Sequence, residues 1–437
     1  MDWNACLKNV SIIHKNRQRW ENATVRGVGF KTRTNVEEAV NSLISKVKPL
    51  KTESVGIYQS YGRVLAEDVV SPIDVPPFDR AAMDGFAVRA EDTFGSSPTN
   101  PMLLKVVGEV EIGERPSVTV GEGEAVKIVT GAPLPNGANA VLMLEHANVR
   151  GDFVEVLKPL TPFKNVSRKG EDIKKGEVIL KKGEIIQPQD VGVLASLGYG
   201  EVEVFRKPRV AVISTGNELV EVGSPLEYGK IYNSNNPMIF AALIENGFDP
   251  ISLGIVRDDE EEIERVLVRG LEFDAVIFTG GTSVGERDLV PKVVEKYGEI
   301  IFHGVSMKPG MPTGAAVVEG KPILMLPGSP AAAFLSFYTF AIPALYGLMS
   351  IRLVARKWSR VKGTVQSRIP SEIGVRTNAR VIWENGRIHP LRTSGSGILS
   401  SLVRANALLI IPEEKEGYEE GEEVEVTLIR DITEVLK

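Results

Sequence analysis

The chain has 437 residues, 43% of them hydrophobic and 25% charged, with a formal net charge of -6 and a single cysteine, Cys6. These totals describe an ordinary globular protein of about three domains at roughly 150 residues each, and they exclude a general nucleic-acid binder and an internal disulfide framework. With no apolar leader and no run of 18 apolar residues, a cytoplasmic protein without a membrane segment is expected.

Residues 1–30 read as a polar extension. Thr34-Asn35-Val36-Glu37-Glu38 predicts a capped amphipathic helix to about Val47, with Val36, Ala39, Val40, Leu43 and Ile44 on one face. A second short helix is expected over Ile57–Leu65. Pro72–Arg89, PIDVPPFDRAAMDGFAVR, cannot form a regular helix because of its prolines. It crowds Asp79, Arg80, Asp84 and Arg89 around Met83 and Phe86. That is either a loop that serves a site or a turn pinned by Asp–Arg pairs. From Leu103 to Val156, short β-type runs separated by Gly, Pro and Asn predict a small β-rich domain over 76–156. Within it Thr130 stands in a Thr-Gly-x-Pro turn, as a hydroxyl donor to a ligand or as a turn closer. Further β runs are expected at Val178–Leu180 and Glu184–Ile186, and a helix over Pro188–Leu197. Segments 31–75 and 157–206 are expected to form one elongated N-terminal domain, with the small β domain inserted in it.

The rhythm becomes α/β at Arg209. Strands are predicted at Val210–Ser214, Pro250–Val256, Ala275–Thr279 and Ile323–Leu326. Helices are predicted at Pro237–Asn246, Asp259–Leu271, Leu289–Tyr297 and Ala331–Tyr346. This alternation implies a doubly wound parallel sheet over 207–350. After Ser350 the pattern returns to β (Val361–Val365, Ala379–Trp383, Leu408–Ile411, Glu423–Leu428), so residues 351–437 should form a barrel or sandwich. The acidic run Glu413–Glu425 reads as a solvated face. The fold class is therefore a multidomain α/β plus β protein.

Chemistry should gather where the parallel strands end, because loops after successive strands share one edge. The stretch AVIFTGGTSVGERD, Ala275–Asp288, runs from a buried strand into a glycine-rich turn. Such turns suit phosphate-like anions, since their N–H groups carry partial positive charge. It is neither a Walker A loop nor a G-x-G-x-x-G fingerprint. The neighbouring loops are 214–218, 257–259 and 326–330, with Lys308-Pro309-Gly310 expected nearby. Together they offer a cation at Lys308 and carboxylates at Glu218, Asp258 and Asp288. That set suits a phosphorylated ligand with Mg²⁺, a hard cation that takes oxygen ligands. Asp259 reads as a helix N-cap. Histidine spacing does not fit zinc, and there is no G-x-S-x-G elbow or cysteine nucleophile.

The motifs PPFDRAAMDGFAVR, IVTGAPLPNGANAVLMLE, GEDIKKGEVI, ISTGNEL, IYNSN, GIVRDD, FTGGTSVGERD, MKPGMPTG and LPGSPAAA run from Pro76 to Ala333, and the likeness they carry covers almost everything from about Val36 to Pro412. In them the sequence resembles the molybdopterin molybdenumtransferase family, which includes the C-terminal domain of gephyrin. The resemblance implies a molybdopterin-binding type of α/β domain and a homodimer. It also implies a reaction in which adenylylated molybdopterin and molybdate give molybdenum cofactor and AMP, with Mg²⁺. The family's functional positions carry over to Asp84, Thr130, Asp172, Glu218, Asp258, Asp288, Lys308, Arg380 and Ser396. With the strand-end loops, the candidate set assigns catalysis to Asp84, Glu218, Asp258, Asp288 and Lys308, and metal binding to Asp258 and Asp288. Thr130, Asp172, Thr215, Gly280, Gly281, Thr282, Ser283, Pro327, Gly328, Ser329, Arg380 and Ser396 are assigned to substrate. A molybdopterin adenylyltransferase is a candidate partner, and no nucleic acid or membrane partner is expected.

Three positions depart from the family pattern. Gly304 and Met311 replace lysines and Asn233 replaces an aspartate, each removing a charged group from the expected cleft region. Competing readings are tungstate in place of molybdate, a non-catalytic molybdopterin-binding or scaffolding paralogue, and the sister adenylyltransferase reaction.

Overall fold

The computed structural model describes residues 33–282, 289–352, 358–392 and 395–430. They fall into two units: one runs to Thr52 and resumes at Phe205, and the other is Glu53–Val204.

The first helix, α1 (Val36–Lys46), starts where the sequence predicts, because the Asn35 side chain accepts from the Glu37 N–H at 2.9 Å. Its stripe Val36, Ala39 and Leu43 is buried. That stripe does not complete an N-terminal domain, as expected from residues 31–75. It lies in the unit that resumes at Phe205, and there Gly347 lies against Ile44 and Val47. The chain beyond it is held to the same unit by Lys48 N–H on the Gly320 carbonyl and Leu50 N–H on the Leu348 carbonyl. An amphipathic stripe specifies burial, not the surface it is buried on.

In the Glu53–Val204 unit, the helix expected over Ile57–Leu65 is only a single 3₁₀ turn, Ile57–Gln59. Gly62, at φ +74°, turns the chain, and Val64 and Leu65 then run extended to bridge Ile185 and Val204. Cross-chain pairing has overridden a weak local helix preference. Ile185 in that bridge is what remains of the β run expected at Glu184–Ile186.

The inserted domain is a six-stranded sheet of β1 (Gly85–Val88), β2 (Met102–Val110), β3 (Glu124–Ile128), β4 (Ala140–Met143), β5 (Ala147–Arg150) and β6 (Phe153–Val156). The strand order is β4-β1-β3-β2-β6-β5. Period-two alternation sends Phe86, Val88, Leu142 and Val154 into one core, and Ala87, Val126, Ile128 and Val141 into another on the opposite face. Helix α2 (Pro188–Ser196) packs Leu194 with Leu65, Val202 and Val204.

The second part of the larger unit is an α/β sheet. Its elements are β7 (Arg209–Thr215), α3 (Asn235–Glu245), β8 (Asp249–Val256), α4 (Glu260–Gly270), β9 (Ala275–Thr279), α5 (Leu289–Glu295), β10 (Glu299–His303), β11 (Gly314–Val318) and β12 (Lys321–Leu326). The order is β8-β7-β9-β12-β11-β10. The first four strands are parallel, and β11 and β10 extend that edge antiparallel. Val210–Ile213 and Ala275–Phe278 are fully buried, as expected for strands covered by helices on both faces.

The long helix after β12 is α6 (Pro330–Ser336), a π-helical stretch Phe337–Ala341, and α7 (Ile342–Gly347). The wider turn comes just before Pro343, which has no N–H to continue the α ladder. Pro330–Gly347 is long and apolar enough to cross a membrane, but 67% of it is buried inside the protein.

The C-terminal strands β13 (Arg360–Val365), β14 (Arg376–Glu384), β15 (Arg387–Arg392), β16 (Ala407–Ile411) and β17 (Glu423–Leu428) run in the order β14-β15-β13-β17-β16. β16 pairs back onto β14, so five strands close a barrel; of the two expected forms, barrel and sandwich, the chain takes the barrel.

Candidate active site

Register sets the site edge. Thr215 stands beside Val256, Ser214 beside Thr279, and Thr279 beside Leu326. Four loops therefore leave the sheet side by side. Gly280 donates to the Leu326 carbonyl at 3.0 Å and has φ +93°. A Cβ on it would sit 2.3 Å from the Thr215 carbonyl oxygen, and one on Gly281 would sit 2.7 Å from Thr215 Oγ1. A Cβ on Gly328 would meet Gly280 Cα at 3.4 Å. The loops after β7, β9 and β12 thus touch main chain to main chain, and only glycine permits so close an approach.

Asp258 is oriented by its neighbours. Thr215 Oγ1 donates to its Oδ1 at 3.0 Å, and the Asn217 N–H to its Oδ2 at 3.3 Å. The Asn217 side chain reciprocates by accepting from the Asp258 N–H at 3.3 Å. Each carboxylate oxygen keeps acceptor capacity for a further ligand. Asp259, by contrast, accepts from the Glu262 N–H at 3.0 Å and caps α4 as expected. Glu218 is exposed, with both oxygens over Gly216, where a Cβ would approach them to 2.8 Å.

The remaining strand-end candidates differ in what they present. Thr282 is 2% exposed and turns its hydroxyl inward to the Leu326 carbonyl at 3.3 Å. Pro327 is buried, whereas Gly328 is exposed and Ser329 half-buried at the start of α6. Ser396 joins this group through its carbonyl, which accepts from the Ala331 N–H at 3.0 Å. Ser283 and Asp288 lie outside the described residues.

Two other candidates belong to the sheet of the barrel. Lys308 is on the short strand Met307–Lys308, paired parallel with Arg376–Thr377 at the start of β14. Its ammonium lies 3.6 Å from Glu372. Among the described residues no bond joins it to the strand-end loops. Arg380 is wholly buried and donates through Nε to Ser401 Oγ at 3.2 Å. It was expected to meet substrate, but β14 turns its side chain inward, where it has no accessible surface.

In the Glu53–Val204 unit, Asp84 and Thr130 come together. The Thr130 N–H and its hydroxyl both donate to Asp84 Oδ1 at 2.7 Å. These bonds, the backbone one first, hold the Asp84 carboxyl below the ordinary aspartate range. Thr130 therefore acts as a donor to Asp84. Asp172 is exposed in a turn fixed by its N–H on the Val75 carbonyl at 3.1 Å. The Pro72–Arg89 segment is pinned chiefly through main-chain groups: Asp79 accepts from the Lys169 N–H at 2.7 Å, and Ala82 donates to the Asn165 carbonyl at 2.9 Å, while Arg89 at its end pairs with Asp92 at 3.8 Å. Phe86 anchors the core at 2% exposure, while Met83 is exposed.

The departures from the family pattern now have surroundings. Asn233 is 3% exposed, and its Oδ1 accepts from Ser214 Oγ at 2.9 Å and the Asn236 N–H at 3.3 Å. It is a buried structural acceptor that an amide satisfies, so its lost charge is not a loss from an open cleft. Gly304 has φ +96°, a conformation in which lysine would be strained. Met311 is half-buried, and its carbonyl accepts from the Val305 N–H at 2.9 Å.

Three residues outside the predicted set shape this edge. Asn217 braces Asp258. Asn235 Nδ2 donates to the Gly328 carbonyl at 2.8 Å. His303 Nε2 donates to the Thr282 carbonyl at 2.8 Å, the acceptor fixing which nitrogen carries the proton. Asn217 and Asn235 lie inside motifs visible in the sequence, but nothing local marks His303.

A doubly wound α/β domain with a glycine-lined strand edge, followed by a closed barrel and accompanied by a small β domain, defines a multidomain α/β protein of the class that places its sites where the strands end. Three family models match the chain in order: MoeA N-terminal region (domain I and II) over residues 34–198, Probable molybdopterin binding domain over 211–347, and MoeA C-terminal region (domain IV) over 362–429. The chain is 35% identical over 401 residues to the molybdopterin molybdenumtransferase of Staphylococcus aureus, covering 90% of this chain and 95% of that protein. It is 41% identical over 390 residues to a Methanocaldococcus jannaschii protein named for molybdopterin biosynthesis, covering 87% of this chain and 93% of the relative. A solved Pyrococcus horikoshii molybdopterin biosynthesis MoeA protein superposes with a TM-score of 0.79 at 40% identity, over 91% of this chain and 100% of that one. The chain belongs to the MoeA family.

Proposed function

We propose that this protein is a molybdopterin molybdenumtransferase of molybdenum cofactor biosynthesis, inserting molybdenum from molybdate into adenylylated molybdopterin with release of AMP. The carrying observation is Asp258, fixed by Thr215 and Asn217 beside the Gly280–Gly281 turn. A carboxylate held with lone pairs to spare, next to a glycine turn, suits a ligand that brings phosphates. Family membership over nearly the whole described chain supports the same reading.

The donor set fits magnesium. Among the described residues no three or more His, Cys, Asp or Glu side chains gather to cage a metal. Magnesium uses one or two carboxylates and completes its shell with water and substrate phosphate. Asp258 and Asp288 would hold it, and it would supply charge neutralisation at the phosphate groups. Thr215 and Asn217 orient the half-buried Asp258, and Glu218 supplies a second carboxylate, which is exposed. Asp84, kept ionised by Thr130, is the corresponding group of the other unit. A homodimer, and a molybdopterin adenylyltransferase that hands on the adenylylated substrate, complete the proposal.

The test is incubation of the purified chain with adenylylated molybdopterin, Mg²⁺ and either molybdate or tungstate, following AMP release and metal incorporation. Oxyanion-dependent AMP release is expected. Tight binding without AMP release would replace this reading with the non-catalytic paralogue.

A further inference from the structure

We propose that Asn235 is a positioning residue for this reaction, setting the Gly328–Ser329 peptide so that its N–H is offered to the anionic substrate. The inference rests on the functional reading above. Asn235 is 8% exposed at the start of α3, and its Nδ2 reaches across to the Gly328 carbonyl at 2.8 Å. In a trans peptide the carbonyl and the following N–H point in opposite directions. Drawing the Gly328 carbonyl back towards α3 therefore turns the Ser329 N–H away from it. The Leu326 carbonyl, two residues earlier, is drawn in likewise, by the Gly280 N–H at 3.0 Å and Thr282 Oγ1 at 3.3 Å. Pro327 has no N–H. Among the described residues neither the Gly328 nor the Ser329 N–H donates to another group. The Leu326 and Gly328 carbonyls are thus held inward while the Gly328 and Ser329 N–H groups stay unused, beside Gly280.

Stability does not account for an asparagine at this position. Its Oδ1 is buried and has no hydrogen-bond partner, an arrangement that costs folding free energy. Asn236, one residue on, is the contrasting case. Its amide donates to the Val212 carbonyl at 3.3 Å and accepts from Ser252 Oγ at 3.0 Å, so both ends serve the scaffold.

The experiment compares Asn235→Ala, Asn235→Asp and Asn236→Ala in the full chain. Equilibrium binding of adenylylated molybdopterin without oxyanion is measured alongside KM and kcat for AMP release and the thermal midpoint. Both Asn235 variants should weaken binding and raise KM about tenfold, with kcat within about threefold and the midpoint little changed. Asn236→Ala should lower the midpoint and leave binding as it was. Unchanged affinity in a folded Asn235 variant overturns the proposal. So does equal weakening by Asn236→Ala, or loss of the fold in both Asn235 variants. If the wild-type chain binds but releases no AMP, the functional reading fails while the affinity comparison still decides Asn235.

Discussion

At Asp258 the carboxylate is held by one hydroxyl and one main-chain N–H, and exchanging it for an amide would set a donor against one of them. Asp258→Asn is expected to reduce AMP release by at least about tenfold with little change in thermal stability. Turnover equal to wild type would remove Asp258 from the site. Asp84 offers a test that needs no substrate. Its pKa is lowered by the Thr130 N–H first and the hydroxyl second. A depressed carboxylate pKa stabilises the fold above the unfolded value, and that contribution is lost as pH falls through the folded value. Thr130→Val removes only the hydroxyl bond, so a carbon-detected titration of Asp84 should show its midpoint rise part of the way towards that of free aspartate. An unmoved midpoint would mean that the hydroxyl bond is absent in solution.

Among the elements, the contact between the loops after β7 and β9 has no room for a side chain. Gly280→Ala would place a methyl 2.3 Å from a main-chain oxygen at φ +93°. We expect a loss of about 2–4 kcal/mol in urea unfolding, and a wild-type midpoint would contradict this geometry. Helices α4 and α5 are tied by Lys292 and Lys296 on Glu260 and by the Tyr297 hydroxyl on Glu264 at 2.7 Å. Burial first, and Glu264 second, push the Tyr297 phenol up to about 12. A raised pKa makes the stabilising contribution complete below the unfolded value near 10, and loses it as pH rises through about 12. Ultraviolet titration should find a late-ionising tyrosine component that Glu264→Gln shifts downward without bringing it to the ordinary value. Identical titration curves for the two proteins would exclude the Glu264 contact.

For the whole molecule, the two units have separate cores, and the candidate residues divide between them: Asp84, Thr130 and Asp172 in one, the strand-end loops in the other. Sedimentation is expected to give twice the mass of one chain at micromolar concentration; a fully active monomer would defeat the proposed homodimer. The extent to which this organisation is legible in the sequence follows from the range of each signal. The capping residues Asn35 and Asp259 are visible because capping is a local property, whereas Phe86, Ala87 and Val88 are all apolar, so only the folded sheet shows which core each one enters. The strand-end loops are legible too, since glycine and acidic residues follow apolar runs there.

The sequence by itself determined the alternation of strands and helices, the glycine turn at Gly280–Gly281, the caps, and the motifs that place the chain in its family. These depend on residue type and on spacing over a few positions. Tertiary structure alone decided that α1 joins the α/β unit, that β16 closes onto β14 to make a barrel, and that Val64 and Leu65 pair instead of coiling. It also decided which side chains are available: Arg380 and the Thr282 hydroxyl turn inward, Asn233 becomes a buried acceptor, and Asn217 and Asn235 brace the loops. An apolar stripe or a polar side chain carries no label for its partner. The choice is made only when segments far apart in the chain are brought together and each buried donor must find an acceptor.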